Sequence, residues 1–147
     1  FISSTFWTER IGFLAGINTI ELMNKIKSWK IIIKNGRYLI KELKKLAKKH
    51  NLDIKIAGIE SIVSYAFNSK NNLKYKTFIT QEMLKKNYLV SNITFLTIYH
   101  KKKIVDNYIK NLDPLFSKIN LFEQKKDNVS KYLKGPVCHD TFKRLTD

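Results

Sequence analysis

Ser3, Ser4 and Thr5 stand together just ahead of an apolar, helix-forming stretch, in the run FISSTFWTERIG. Such hydroxyls can cap or turn the backbone. Together with backbone N–H donors they can also hold a phosphate, whose oxygens are strong acceptors and which sits well near a helix N-terminus. The other candidates for chemistry are scattered. His50, His100 and His139 lie far apart in the chain and Cys138 is its only cysteine, so the ligand pairs of a structural zinc site are missing and no metal is expected. Cys138 adjoins His139, yet adjacent side chains rarely point at one another, and no nucleophile and base are expected there. Gly36 and Gly58 build no phosphate loop of the recognised spacing.

The elements that must position these groups follow from periodicity. Phe13, Leu14, Ile17 and Ile20 mark one face of a first helix, with Thr8 as its cap and Glu9 in its first turn. SWKIIIKNGRYLIKELKKLAKKH continues helical, with Trp29, Ile32, Ile33, Gly36, Ile40, Leu43 and Ala47 on one side, lysines on the other, and Asn51 at its end. Around Gly58, DIKIAGIESIVSYAFN predicts two short strands. A third helix is predicted over 74–86 through Tyr75, Phe78, Ile79 and Met83, and YLVSNITFLTIYH reads as strand. The next helix carries Ile104, Val105, Tyr108, Ile109, Leu112, Leu115 and Phe116, with Pro114 expected to kink or restart it. A last helix is predicted over 121–134, stopped by Gly135 and Pro136.

A chain of 147 residues, 44% hydrophobic, has the length of one domain and can bury a core. No apolar run reaches the roughly 18 residues of a membrane span. With a single cysteine and no visible leader, a reducing compartment, the cytoplasm, is expected. The opening without Met reads as a piece of something longer. The net charge of +16 proposes nucleic acid. The surplus is lysine, however: only Arg10, Arg37 and Arg144 supply the guanidinium forks used for base edges and bidentate phosphate contacts. The lysines therefore read as a solvated coat on helical outer faces, with no specific nucleic acid and no membrane expected. A non-enzymatic basic module binding nucleic acid or anionic surfaces is the alternative.

The particular residues go further. FISSTFWTERIGFLAGINTIELM resembles the segment of class III pyridoxal-phosphate-dependent aminotransferases, glutamate-1-semialdehyde aminomutase and its relatives, that leads from the large domain into the C-terminal small domain. There a Thr precedes a loop and a helix of the form A-G-I-x-T-L-E, and here Thr5 precedes Ala15-Gly16-Ile17-Asn18-Thr19-Ile20-Glu21 in matching register. QEMLKKNYLVSN is similar to the family's x-x-M-x-x-x-G-[VIY] helix end, and TIYHKKKIVDNYIKNLD to its x-A-H-[TS]-x-x-D-[IV] step. The resemblance covers residues 1–119.

What it implies is an α+β fold, the C-terminal small domain of a fold type I pyridoxal-phosphate-dependent transferase. Helices would pack on a small, mostly antiparallel sheet behind a long N-terminal connecting helix. The implied division is an interface segment and connecting helix over 1–26, the small domain over 27–120, and a helical extension and tail over 121–147. The implied protein is a homodimer that takes a small amino-acid, keto or aldehyde substrate and transfers an amino group through aldimine and ketimine intermediates. In it Thr5, helped by Ser4, would contact the cofactor phosphate across the interface. Ser91 and Asn92 fall where the family's small domain faces the substrate entrance, although an ordinary turn also suits them. His100 matches the family's His, with a structural hydrogen bond as its other reading. Arg10 suits either a substrate carboxylate or a surface salt bridge. The lysine that binds the cofactor and the carboxylate that partners its ring nitrogen lie upstream of the Thr in the family, so this stretch is expected to be inactive alone.

Overall fold

The computed structural model describes residues 9–139. Thr8, the expected cap of the first helix, lies outside them, and at the N-cap Glu9 there is no side-chain cap bond. Helix α1 (Arg10–Ile26) passes into α2 (Ser28–Lys49) through Lys27 alone, whose left-handed backbone (φ 50) ends one helix and starts the other. A hairpin of β1 (Ile54–Ile59) and β2 (Ile62–Phe67) follows, then α3 (Asn72–Leu84), β3 (Ile93–Phe95) and α4 (Lys102–Glu123). A short 3-10 turn, Val129–Lys131, comes last.

The sheet is antiparallel in the order β1-β2-β3, with Ile54 opposite Phe67, Gly58 opposite Val63 and Ser64 opposite Ile93. Alternation along β2 turns Val63, Tyr65 and Phe67 inward, as a half-buried strand must. Onto that face pack Leu39, Leu43 and Leu46 of α2, Tyr75, Phe78, Ile79 and Met83 of α3, and a full stripe of α4 from Val105 to Phe122. Aromatic rings join the layers. The Phe67 ring lies 5.3 Å from Phe116 and 5.6 Å, edge-on, from Tyr75, while Phe122 lies 5.5 Å from both Phe78 and Tyr132. Burial pushes the Tyr65 hydroxyl well up and the Tyr108 hydroxyl up to about 12, so both stay neutral in the core.

Two glycines are required by close approach. Gly36, buried on α2, faces the turn of the hairpin so tightly that a Cβ would stand 1.7 Å from the Glu60 carbonyl oxygen. Gly58 has φ +91, and a Cβ there would meet the Ile62 carbonyl at 2.1 Å. Asn87 does a glycine's work at the end of α3. It takes φ 63, and the chain turns after it with the Tyr88 N–H donating to the Met83 carbonyl, the left-handed ending that Gly or Asn supplies.

Two expectations are corrected and one is narrowed. YLVSNITFLTIYH contributes only the three residues of β3 as strand. Of the kink or restart expected at Pro114, the restart is excluded, because Pro114 lies inside one continuous α4: it is exposed, while Leu112, Leu115 and Phe116 around it are buried and hold the helix together. No helix covers 121–134. Its first turn is the end of α4, after which Lys125 turns left-handed (φ 57). The chain then folds back because Asp127 accepts from Lys118 Nζ, the Tyr132 hydroxyl and the Asn128 N–H.

The end of α2 is tied to α4 by Asp113, which accepts from Lys49 Nζ at 2.6 Å and from His50 Nε2. Lys49 first and then His50 hold its carboxyl below the usual range. The stabilisation from such a depressed carboxyl is complete above the unfolded carboxylate range and disappears as pH falls through the folded value. Thermal melts should show Asp113→Asn less stable than the parent at pH 7, with the difference shrinking below about pH 4. Gly36→Ala should be worse, lowering stability by about 2 kcal/mol or more in denaturant unfolding, because helix and hairpin must move apart.

Candidate functional site

A cleft of 310 Å³ opens where the chain runs from α3 through β3 to α4. Its floor is Leu39 of α2, and its walls include Tyr88, Leu89 and Val90, the side of β3, His100, and Ile104 and Tyr108 of α4. The left-handed turn at Asn87 delivers the first of these segments. Backbone bonds then fix the course of the strand: the Tyr65 N–H donates to Asn92 O at 3.0 Å, and the Leu96 N–H to Ser61 O at 2.8 Å. Chain connections with so few side-chain constraints are placed by such main-chain pairing.

His100 closes the turn into α4. Its Nδ1 accepts from the Thr97 N–H at 2.9 Å and lies 2.9 Å from Thr97 Oγ1, which places the proton of the neutral ring on Nε2. Thr97 Oγ1 accepts in turn from the Tyr99 N–H, and Asn35 Nδ2 donates to the Thr97 carbonyl at 3.1 Å. The turn is therefore bonded on both sides, and Lys101, the N-cap of α4, makes no side-chain cap bond. His100 both organises this turn and lines the cleft.

Ser91 lines the same cleft, and its Oγ donates to Asn92 Oδ1 at 3.1 Å. Asn92 itself lines a neighbouring small recess with Tyr65, Lys76 and Thr80. The structure thus brings Ser91 and His100 together and turns Asn92 away. Thr5 and Ser4 lie outside the described residues. Arg10 is exposed on the first turn of α1, and Arg37 pairs with Glu60 at 3.1 Å; neither lines the cleft. Cys138 is spent on structure, its N–H donating to Thr77 Oγ1 and its Sγ lying 3.6 Å from the Leu73 carbonyl, while His139 is exposed. Among the described residues no three His, Cys, Asp or Glu side chains are grouped to hold a metal, and no helix is long and apolar enough to cross a membrane.

The polar residues were the legible part of this cleft. Its apolar wall was not: Leu89 and Phe95 are exposed, at 93% and 67%. The available signal was a strand-like run richer in apolar side chains than one short edge strand can cover.

Pyridoxal phosphate needs a lysine nucleophile with a weakened proton and a nest of donors for the phosphate. No described lysine is buried, and Lys102 and Lys118 are pushed up by Asp106 and Asp127 beside them, the opposite of an activated amine. The cleft presents one imidazole, that of His100, in a largely apolar wall.

His100→Ala leaves the Thr97 N–H without its acceptor and should cost about 1 kcal/mol in denaturant unfolding. His100→Asn, whose Oδ1 can take the place of Nδ1, should recover most of that loss.

No family model matches the chain. Glutamate-1-semialdehyde 2,1-aminomutase of Methanocaldococcus jannaschii is 27% identical over 128 residues, which cover 78% of this chain and 30% of that enzyme. The structure of the PLP internal aldimine form of the FumI protein of Sphingopyxis sp. MTA144 superposes on 86% of this chain and 31% of its own, with a TM-score of 0.71 at 19% identity. At that identity the likeness is one of fold. The chain therefore spans about a third of the length of the proteins it matches. In sequence and in fold together, this α+β chain resembles the C-terminal part of a pyridoxal-phosphate enzyme of the glutamate-1-semialdehyde aminomutase kind.

Proposed function

We propose that the chain is the C-terminal part of a class III pyridoxal-phosphate-dependent aminotransferase or aminomutase that works as a homodimer on a small amino-acid, keto or aldehyde substrate. The observation that carries this reading is the contrast between α1 and the rest. From α2 onward the chain has its own core, whereas α1 buries no residue and presents Ile11, Phe13, Leu14, Ile17 and Ile20 to the outside. An apolar helix of this kind suits one half of an interface, and in this reading α1 would be the connecting helix set against the remainder of the enzyme.

Bound pyridoxal phosphate would supply the electron sink for amino transfer. This chain's residues would do the surrounding work. Thr5, with Ser4 beside it, would donate hydroxyl hydrogen bonds to the phosphate held mainly by the other subunit. The Leu89–Val90 wall and Phe95 would keep water from the substrate's path, and Ser91 and His100 Nε2 would offer polar contacts at the entrance. The cofactor-binding lysine would lie in the large domain.

In the full-length protein, Thr5→Ala removes one hydrogen bond to a charged group, worth about 1.5 to 3 kcal/mol. Cofactor affinity, read by equilibrium titration, should fall about tenfold or more. Thr5→Ser should largely preserve it. A heterodimer with one mutated chain should show one weakened site, in the subunit whose own Thr5 is intact. Unchanged affinity with only a lower melting temperature would make the hydroxyl a cap and remove Thr5 from the site.

A further inference from the structure

Helix α2 carries Lys30, Lys34, Arg37, Lys41, Lys44 and Lys48 in single file, three and four residues apart by turns. At 100° per residue they fall within an arc of about 80°, in a row roughly 27 Å long. All six are exposed. Arg37 is paired, with Glu60; among the described residues the other five meet no acid within ion-pair distance. Like charges at this spacing repel along a helix, so the row weakens the element that bears it and the buried side of α2 must hold it. Alongside runs an open groove of 720 Å³ between α2 and the hairpin turn, walled by Arg37, Lys41 and Lys44, with Ile40 and the exposed Ile59 as its apolar part.

We propose that this row docks an acidic α-helix of another protein, one with carboxylates at the same three-and-four spacing and an apolar residue set against Ile59. Two helices side by side match such rows charge for charge, as flanking positions do in paired helices. Within this stretch a second copy offers no described helix with such a row of free acids. It has 12 acids against 28 bases. Its α1 and α3 carry one acid each, Glu21 and Glu82, and the acids of α4 are engaged: Asp106 with Lys102, Asp113 with Lys49 and His50, Glu123 with Ser69 and Tyr75. A single nucleic-acid strand is disfavoured because the row contains no aromatic side chain for bases to stack on and one arginine. A membrane surface is disfavoured because the apolar face of α2, which an interfacial helix would insert, is committed to the core.

The test uses the full chain and a labelled synthetic helical peptide with glutamates in the matching spacing. A scrambled peptide of equal composition, a duplex DNA and vesicles containing phosphatidylserine are compared beside it, all by anisotropy or co-sedimentation at about 0.1 M salt. The matched peptide should bind, and scrambling should weaken it at least about fivefold. Lys41→Gln with Lys44→Gln should weaken it about tenfold. Lys125→Gln with Lys126→Gln, equal in charge but on the far loop, should change it less than about twofold. Circular dichroism confirms that each variant is folded. Equal binding of the scrambled peptide, or equal losses in the two double variants, would reduce the row to general attraction and overturn the proposal. Tighter binding of the DNA or the vesicles, dependent on Lys41 and Lys44, would overturn it in favour of that polyanion.

Discussion

The contact between Phe67 and Phe116 is the one on which the rest of this structure hangs. Phe67 ends the central strand and Phe116 sits in the middle of α4, and their rings meet with Tyr65 and Tyr75 packed around them. A sheet this small depends for its stability on having its hydrophobic face covered. Here it becomes stable because the inward face of β2 is covered by the long buried stripe of α4. Once α4 is seated, α2 packs beside it and α3 is caught between β2 and the turn that brings Tyr132 back onto Phe122. The cleft is a by-product of the same seating, since His100 and Ile104 take their places from the start of α4.

Gly36 sets the second constraint. Helix and hairpin turn approach until backbone meets backbone, so the angle at which α2 crosses the sheet leaves no freedom for a side chain there. That fixes Leu39 under the cleft floor and, on the opposite side, aims the row from Lys30 to Lys48 at solvent. A backbone contact on one face of a helix thus decides the direction of the charge on the other.

The elements with strong periodicity were readable: α2, the hairpin around Gly58, and the α3 residues Tyr75, Phe78, Ile79 and Met83, all buried. The apolar helix motif and the M-x-x-x-N-Y helix end pointed to the right family likeness, and Asn87 shows why asparagine can stand there. The C-terminal stretch was misread because its composition suits a helix, while the ion pair of Lys118 with Asp127, and the ring of Tyr132 stacked by that lysine at 4.5 Å, are tertiary facts. At Pro114 the helix does not restart, since buried neighbours outweigh one missing donor. At the cleft, polar residues advertise themselves in a sequence, and an apolar wall becomes visible only when the strand beside it proves short.

The place of Phe116 in the chain has a consequence for synthesis. Domains tend to fold as units while they emerge, but here the residue that closes the core comes far behind the strand it covers. Until α4 has left the ribosome, Val63, Tyr65 and Phe67 and the inner side of α2 have nothing to pack against, and α1 is apolar throughout that interval. While this stretch emerges, those apolar surfaces stay uncovered until α4 follows, and the lysine-rich outer face is the part of it that opposes association with like-charged neighbours.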